Sequence, residues 1–185
     1  THTHLAGIIP LANLKTDYNL QTPDCLLPVD AGFTAIEKAV FECAVVGCQT
    51  IWIVANDDLA PLVREVVGEW VHDPAYYYRQ HDPFPTSRQK AIPIYYVPIH
   101  PKDRDRRDSY GWSILHGVYS AWGIANIISH WVIPDKYYVS FPMSIHNVYS
   151  LRKYRRQISE ISKNWFLTYE GKSVKDNLPL PFTMG

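Results

Sequence analysis

Apolar residues along this chain alternate between short continuous runs and stripes that recur every three or four positions. Leu5 to Ala12 (LAGIIPLA), Thr50 to Ala55 (TIWIVA), Ile92 to Val97 (IPIYYV) and Lys136 to Phe141 (KYYVSF) are of the first kind. Runs this short that lack a polar face predict strands buried on both sides. Between them lie helical patterns. Phe33, Ile36, Val40, Phe41, Ala44 and Val45 form one stripe. Thr34 and Glu37 have the spacing of a capping box at its start, and Gly47 offers a left-handed stop. Leu59 to Trp70 predicts a second helix, led in by a turn and N-cap at Asn56-Asp57-Asp58. A third runs from a cap at Ser113 to about Ser129. Further on, Leu151 to Gln157 reads as a basic helix. Trp165–Tyr169 and Lys172–Val174 read as a hairpin around Glu170-Gly171.

The resulting order, β-α-β-α-β-α-β, predicts an α/β fold: a three-layer αβα sandwich with a mostly parallel, Rossmann-like sheet and right-handed crossovers. Residues 1–177 are expected to form a single domain, and 178–185, with two prolines, a tail. Ligands of such sheets bind beyond the carboxyl ends of the strands. That directs attention to the loops after Pro10, Ala55, Val97 and Phe141.

Composition narrows the class. Hydrophobic residues make up 46% and charged residues 19%, enough for a packed core and too apolar for wholesale disorder. Lys plus Arg and Asp plus Glu are each 18, so no general attraction to nucleic acid or an anionic membrane is expected. No apolar run approaches the ~20 residues that span a bilayer. Three cysteines, Cys25, Cys43 and Cys48, without a CxxC pair, argue against a disulfide framework and for a reducing, cytoplasmic setting. The aromatic surplus, 13 Tyr and 6 Trp, points to a homo-oligomer or protein assembly as much as to core volume.

Several motifs are missing. There is no GxGxxG after the first strand and no GxxxxGK[ST], which disfavours dinucleotide oxidoreductases and P-loop ATPases. HExxH and GxSxG are absent too. His116, His130 and His146 lack a sharp metal-ligand spacing, so no metal residues are assigned. Asp57 and Asp58 fit capping better than cation binding. The basic run Arg152, Lys153, Arg155 and Arg156 fits a solvated helix face better than a phosphate site.

Two stretches carry a resemblance. Ala6-Gly7-Ile8-Ile9-Pro10-Leu11-Ala12 is followed by Pro23-Asp24-Cys25-Leu26-Leu27-Pro28-Val29. Then come Thr34-Ala35-Ile36-Glu37 and Gly47-Cys48-Gln49-Thr50-Ile51-Trp52-Ile53-Val54. Together these resemble the opening of the sugar-1-phosphate nucleotidyltransferases and cytidylyltransferases of GT-A-like fold: a strand, a "PKxLLPV" segment, a helix and a strand of the type "IxIV". More weakly, Tyr110-Gly111-Trp112-Ser113-Ile114-Leu115 resembles the family's "GTAxAL" helix start.

The resemblance implies binding of a nucleoside triphosphate with Mg²⁺ and nucleotidyl transfer to a phosphorylated small molecule. It implies that Gly7, Leu11, Ala12 and Asn13 line the nucleotide loop, that Lys15 meets the phosphates in catalysis, and that Gly111 lies by the base. The departures imply an alternative: an inactive relative with a structural or interaction role and no cofactor. Asp24 stands where the family has lysine. Pro142-Met143 stands where a Gly-Asp would end the fourth strand, and a thioether cannot replace a carboxylate on Mg²⁺.

Overall fold

The computed structural model describes residues 4–12, 20–77 and 90–185. Its strands are β1 (Leu5–Pro10), β2 (Pro28–Asp30), β3 (Phe33–Thr34), β4 (Thr50–Ala55), β5 (Trp70–His72), β6 (Ala91–Pro98), β7 (Lys136–Val139), β8 (Trp165–Phe166) and β9 (Phe182–Met184). Its helices are α1 (Ala35–Val46), α2 (Ala60–Val67), α3 (Pro74–Tyr77), α4 (Tyr110–Ile128) and α5 (Arg155–Glu160). β2 and β3 form a small hairpin ahead of α1. The other seven strands form one sheet in the order β5-β6-β4-β1-β7-β9-β8.

The four central strands, β6, β4, β1 and β7, are parallel, and the sheet lies between helical layers, as the alternation of runs and stripes predicts. Each outer strand is antiparallel to its neighbour. Two cores result. On one face Ile9, Ile51, Ile53 and Tyr138 pack under α1 with Ala39, Cys43 and Val46. On the other, Ile8, Trp52, Val54 and Val139 pack under α4. Each fully buried aliphatic side chain stabilises by about 1.5–3 kcal/mol, so the two-sided burial of β1 and β4 anchors the whole.

The helix signals act locally as expected. The Thr34 hydroxyl accepts from the Glu37 N–H while the Glu37 carboxylate accepts from the Thr34 N–H at 2.7 Å, which closes the capping box. Gly47 stops α1 with φ at 98°.

Five elements differ from expectation. α4 starts four residues earlier than predicted, because the hydroxyl of Ser109 rather than Ser113 accepts from a first-turn N–H, that of Trp112. Trp70 is not helical: α2 ends at Val67, Gly68 turns the chain with φ at 73°, and Trp70 pairs with Pro93 in β5. The basic segment is a 3₁₀ turn over Val148–Tyr154 that passes into α5. The expected tail is structured instead: β9 adds to the edge of β7, and the two prolines precede the paired residues. Of the expected hairpin, only an isolated Tyr169–Lys172 bridge forms, since Trp165 and Phe166 pair with β9.

Candidate functional site

The chain runs outward from β1 to β4 to β6, then crosses back to β7 on the other side of β1. The crossover direction therefore reverses between β1 and β7. Connections diverge there, leaving the crevice in which open α/β sheets bind ligands. Beyond β1, Leu11 keeps to the sheet by donating its N–H to the Val54 carbonyl at 3.0 Å. Beyond β7, Ser140 does likewise to Ile8 at 3.0 Å. The crevice is bordered by Leu11–Ala12, the 3₁₀ turn Asp24–Leu26, the first turn of α4 and the segment 141–146. Tyr110 closes one corner, its ring edge-on to Phe141 with centroids 5.0 Å apart. Burial pushes the Tyr110 phenol up, and the nearby charge of Asp24 adds to the effect. Burial also raises the thiol of Cys25 to about 11, leaving it an inert packing group.

The segment after β7 is held from below by a buried polar network. Lys38 of α1 is only 3% exposed. Its ammonium donates to the carbonyls of Phe141 at 2.9 Å and Ser144 at 2.6 Å, and to the Glu42 carboxylate at 3.3 Å. Glu42, fully buried, also accepts from the Tyr138 hydroxyl at 2.6 Å. The His146 ring stands 3.7 Å from the same carboxylate. Burial pulls the Lys38 amine down, with Glu42 opposing, and burial pushes the Tyr138 phenol well up. An ammonium in this position satisfies two loop carbonyls and one buried charge at once, which fixes the 141–144 backbone to α1.

A second ion pair, half-buried, supports the far end of α1. Arg155 meets Asp73 in a bidentate bridge at 2.9 and 2.6 Å and caps the Ala44 carbonyl at 3.2 Å. The basic run is thereby divided. Arg155 points inward, Arg156 pairs with Glu160 at 2.8 Å, and Lys153 lies over the Tyr154 ring.

The sequence-predicted site residues fall in three places. Leu11, Ala12 and Gly111 border the crevice. A Cβ on Gly111 would meet nothing within 4 Å, so the rim is open there. Gly7 sits instead in mid-strand under α1, where a Cβ would come within 2.8 Å of the Cys43 sulfur. Asn13 and Lys15 lie outside the described residues. Lys38, Glu42 and Tyr138 were not singled out by the sequence. The one available signal was a Lys/Glu pair spaced i, i+4 on a helix that turns out buried nearly all round.

A divalent metal is the group that the family resemblance implies, and hard oxygen donors are what it needs. At the end of β7 the backbone carries Pro142-Met143, whose side chains offer none. Among the described residues no group of three or more His, Cys, Asp or Glu is placed to hold an ion. The described donors do not fit such a metal.

The class this architecture defines is an α/β fold with a mostly parallel central sheet between helical layers. Solved structures of that shape match along nearly the whole chain. Rv0371c from Mycobacterium tuberculosis H37Rv superposes with a TM-score of 0.51 at 14% identity, covering 94% of this chain and 69% of its own. The manganese complex of Rv0371C does so at 0.50 and 11%, covering 98% and 71%. A UDP-glucose pyrophosphorylase in complex with UDP-glucose gives 0.51 and 14%, with 89% of this chain set against 56% of that enzyme. No family model matches the sequence, and no curated protein matches it significantly. Likeness at this identity concerns the fold. No helix among the described residues is long and apolar enough to cross a membrane.

Proposed function

We propose that this chain binds a nucleotide at the crevice between β1 and β7, and that it does so without the metal-centred transfer chemistry its fold class is built for. The observation that carries the binding half is topological: the reversal point lies between β1 and β7, and the open first turn of α4 borders it. Free backbone N–H groups at a helix start suit anionic ligand groups. Gly111 leaves room for a base or sugar to approach the backbone. By the family resemblance, Asn13 would line the nucleotide loop and Lys15 would meet the phosphates. A structure of the same fold, UDP-glucose pyrophosphorylase, holds UDP-glucose, which supports a nucleotide or nucleotide sugar as the ligand.

The second half rests on Pro142-Met143. Phosphoryl transfer depends on charge neutralisation and positioning. Here the β7 exit is clamped by Lys38 and carries a thioether in place of a carboxylate. Asp24, standing where the family has lysine, adds negative charge where the phosphates need the opposite. The other reading is a working enzyme that moves a nucleotidyl group from a nucleoside triphosphate to a phosphorylated small molecule. It is favoured by the open rim and by Lys15, the cation that the resemblance assigns to the phosphates.

Thermal melting with each nucleoside triphosphate and with UDP-glucose, with and without Mg²⁺ or Mn²⁺, tests both. A ligand at about 100 times its Kd stabilises by roughly 2.7 kcal/mol, a readable shift. The binding reading expects a shift that Gly111→Leu abolishes without lowering the ligand-free melting temperature, and no pyrophosphate release. Metal-dependent pyrophosphate release with a sugar phosphate would establish the enzyme. No response to any nucleotide would sink both.

A further inference from the structure

The dipeptide Arg-Arg occurs twice in the chain, at Arg106-Arg107 and at Arg155-Arg156, and each copy stands shortly before a serine. Ser109 follows the first pair, with arginines three and two residues ahead of it. Ser159 follows the second, with arginines four and three residues ahead. Clustered arginines before a serine are the kind of charge pattern by which protein kinases choose a substrate hydroxyl. The fold treats the two copies in opposite ways.

At Ser159 every part is engaged. Ser159 lies in α5, and its hydroxyl donates to the Arg155 carbonyl at 2.9 Å. Arg155 is held by Asp73 at 2.6 Å and Arg156 by Glu160 at 2.8 Å. Drawing this segment into another protein's active site means unwinding α5 and giving up those bonds. Ser109 carries little of that cost. Residues 106–109 are all exposed, in the stretch between the Pro101–Asp103 3₁₀ turn and α4. Ser109 itself is extended, with φ at −142° and ψ at 153°. Its Oγ accepts from the Trp112 N–H at 3.2 Å, and its proton has no acceptor among the described residues. Arg106 makes no ion pair among the described residues. Arg107 meets Asp103 at 3.5 Å, an exposed contact that a partner's carboxylate can replace. A phosphate on Ser109 would lie at the N-cap of a 19-residue helix with arginines two and three residues before it, surroundings that stabilise added negative charge.

We propose that Ser109 is a phosphorylation site, the acceptor of the γ-phosphoryl group of ATP from a protein kinase that reads Arg106 and Arg107. The bond from Ser109 Oγ to phosphorus forms as the bond between phosphorus and the β–γ bridging oxygen breaks. The serine proton passes to the kinase's catalytic aspartate, and ADP leaves. The proposal does not rest on the nucleotide reading of the crevice, since it asks only that the hydroxyl and its two arginines be presented together.

The test incubates the folded full chain with ATP, Mg²⁺ and a purified protein kinase selective for arginine two and three residues before its target serine, and follows the intact mass. A gain of one phosphoryl group is expected, placed on Ser109 by fragmentation, with Ser159 unmodified. Ser109→Asp keeps a competent helix cap and should abolish the gain. Arg106→Ala and Arg107→Ala together replace exposed side chains, so the circular dichroism should match the parent. The same pair should slow the initial rate by about tenfold or more, the loss of a charge-assisted contact with the kinase. No gain of mass overturns the proposal. So does phosphate found on Ser159 to the same extent, because the fold then makes no choice between the two copies. A rate that survives the loss of both arginines overturns it too, since the hydroxyl is then taken without them.

Discussion

The two helical layers solve the same problem by different means. The α1 layer admits polar groups into its core and satisfies them: Lys38, Glu42 and Tyr138 form one closed network, and Arg155 and Asp73 another. The α4 layer excludes charge altogether and leaves its outer side apolar and open. The first layer is specified by pairing, so a wrong partner costs far more than a lost contact does. The second is specified by shape, with Gly117 letting the helix approach the sheet. Polar precision and apolar generality thus face each other across four strands.

Mutations can break this contrast, and the largest effect should come from the network. Lys38→Met leaves the Glu42 carboxylate buried without its cation, which typically costs about 3–5 kcal/mol. Chemical denaturation should show that loss; a change under about 1 kcal/mol would mean that the network is ornamental. Next comes the close approach under α4. A Cβ at Gly117 would lie 2.9 Å from Val54 and 3.0 Å from Ile8. Gly117→Ala gains about 0.5–1 kcal/mol of helix propensity, yet overpacking costs about 1–3, so net destabilisation is expected in the same experiment. Thr34→Ala removes half of the capping box and should cost about 1 kcal/mol, read as a lowered melting temperature. Smallest of all, Leu115→Gln on the outer side of α4 should change the stability of the single chain by no more than about 0.5 kcal/mol, measured well below any association. If Leu115→Gln cost as much as Gly117→Ala, the outer face would be core and the contrast would fall.

The parts of this fold visible in the sequence are those specified by neighbours along the chain. Thr34, Glu37 and Gly47 delimit α1 through contacts within a turn, and the apolar runs of β1, β4 and β6 need no partner to be read. Elements that depend on distant residues escape such a reading. Trp70 looks helical by its spacing, but Gly68 and pairing with Pro93 draw it into the sheet. Phe182–Met184 looks like a tail because the strand whose edge it completes, β7, lies far back along the chain. Lys38 gives no warning at all, for its acceptors, Phe141 and Ser144, are 103 and 106 positions away. The crevice itself is legible as a rule about strand ends. Gly7, selected for the ligand, makes room for Cys43 instead.

The margins of the sheet carry a further consequence. Both end in short antiparallel strands, three residues of β5 on one side and two of β8 on the other. Strands that short give an incoming strand little to extend along β5 and β8 themselves, which limits fibril-like growth at those two strands.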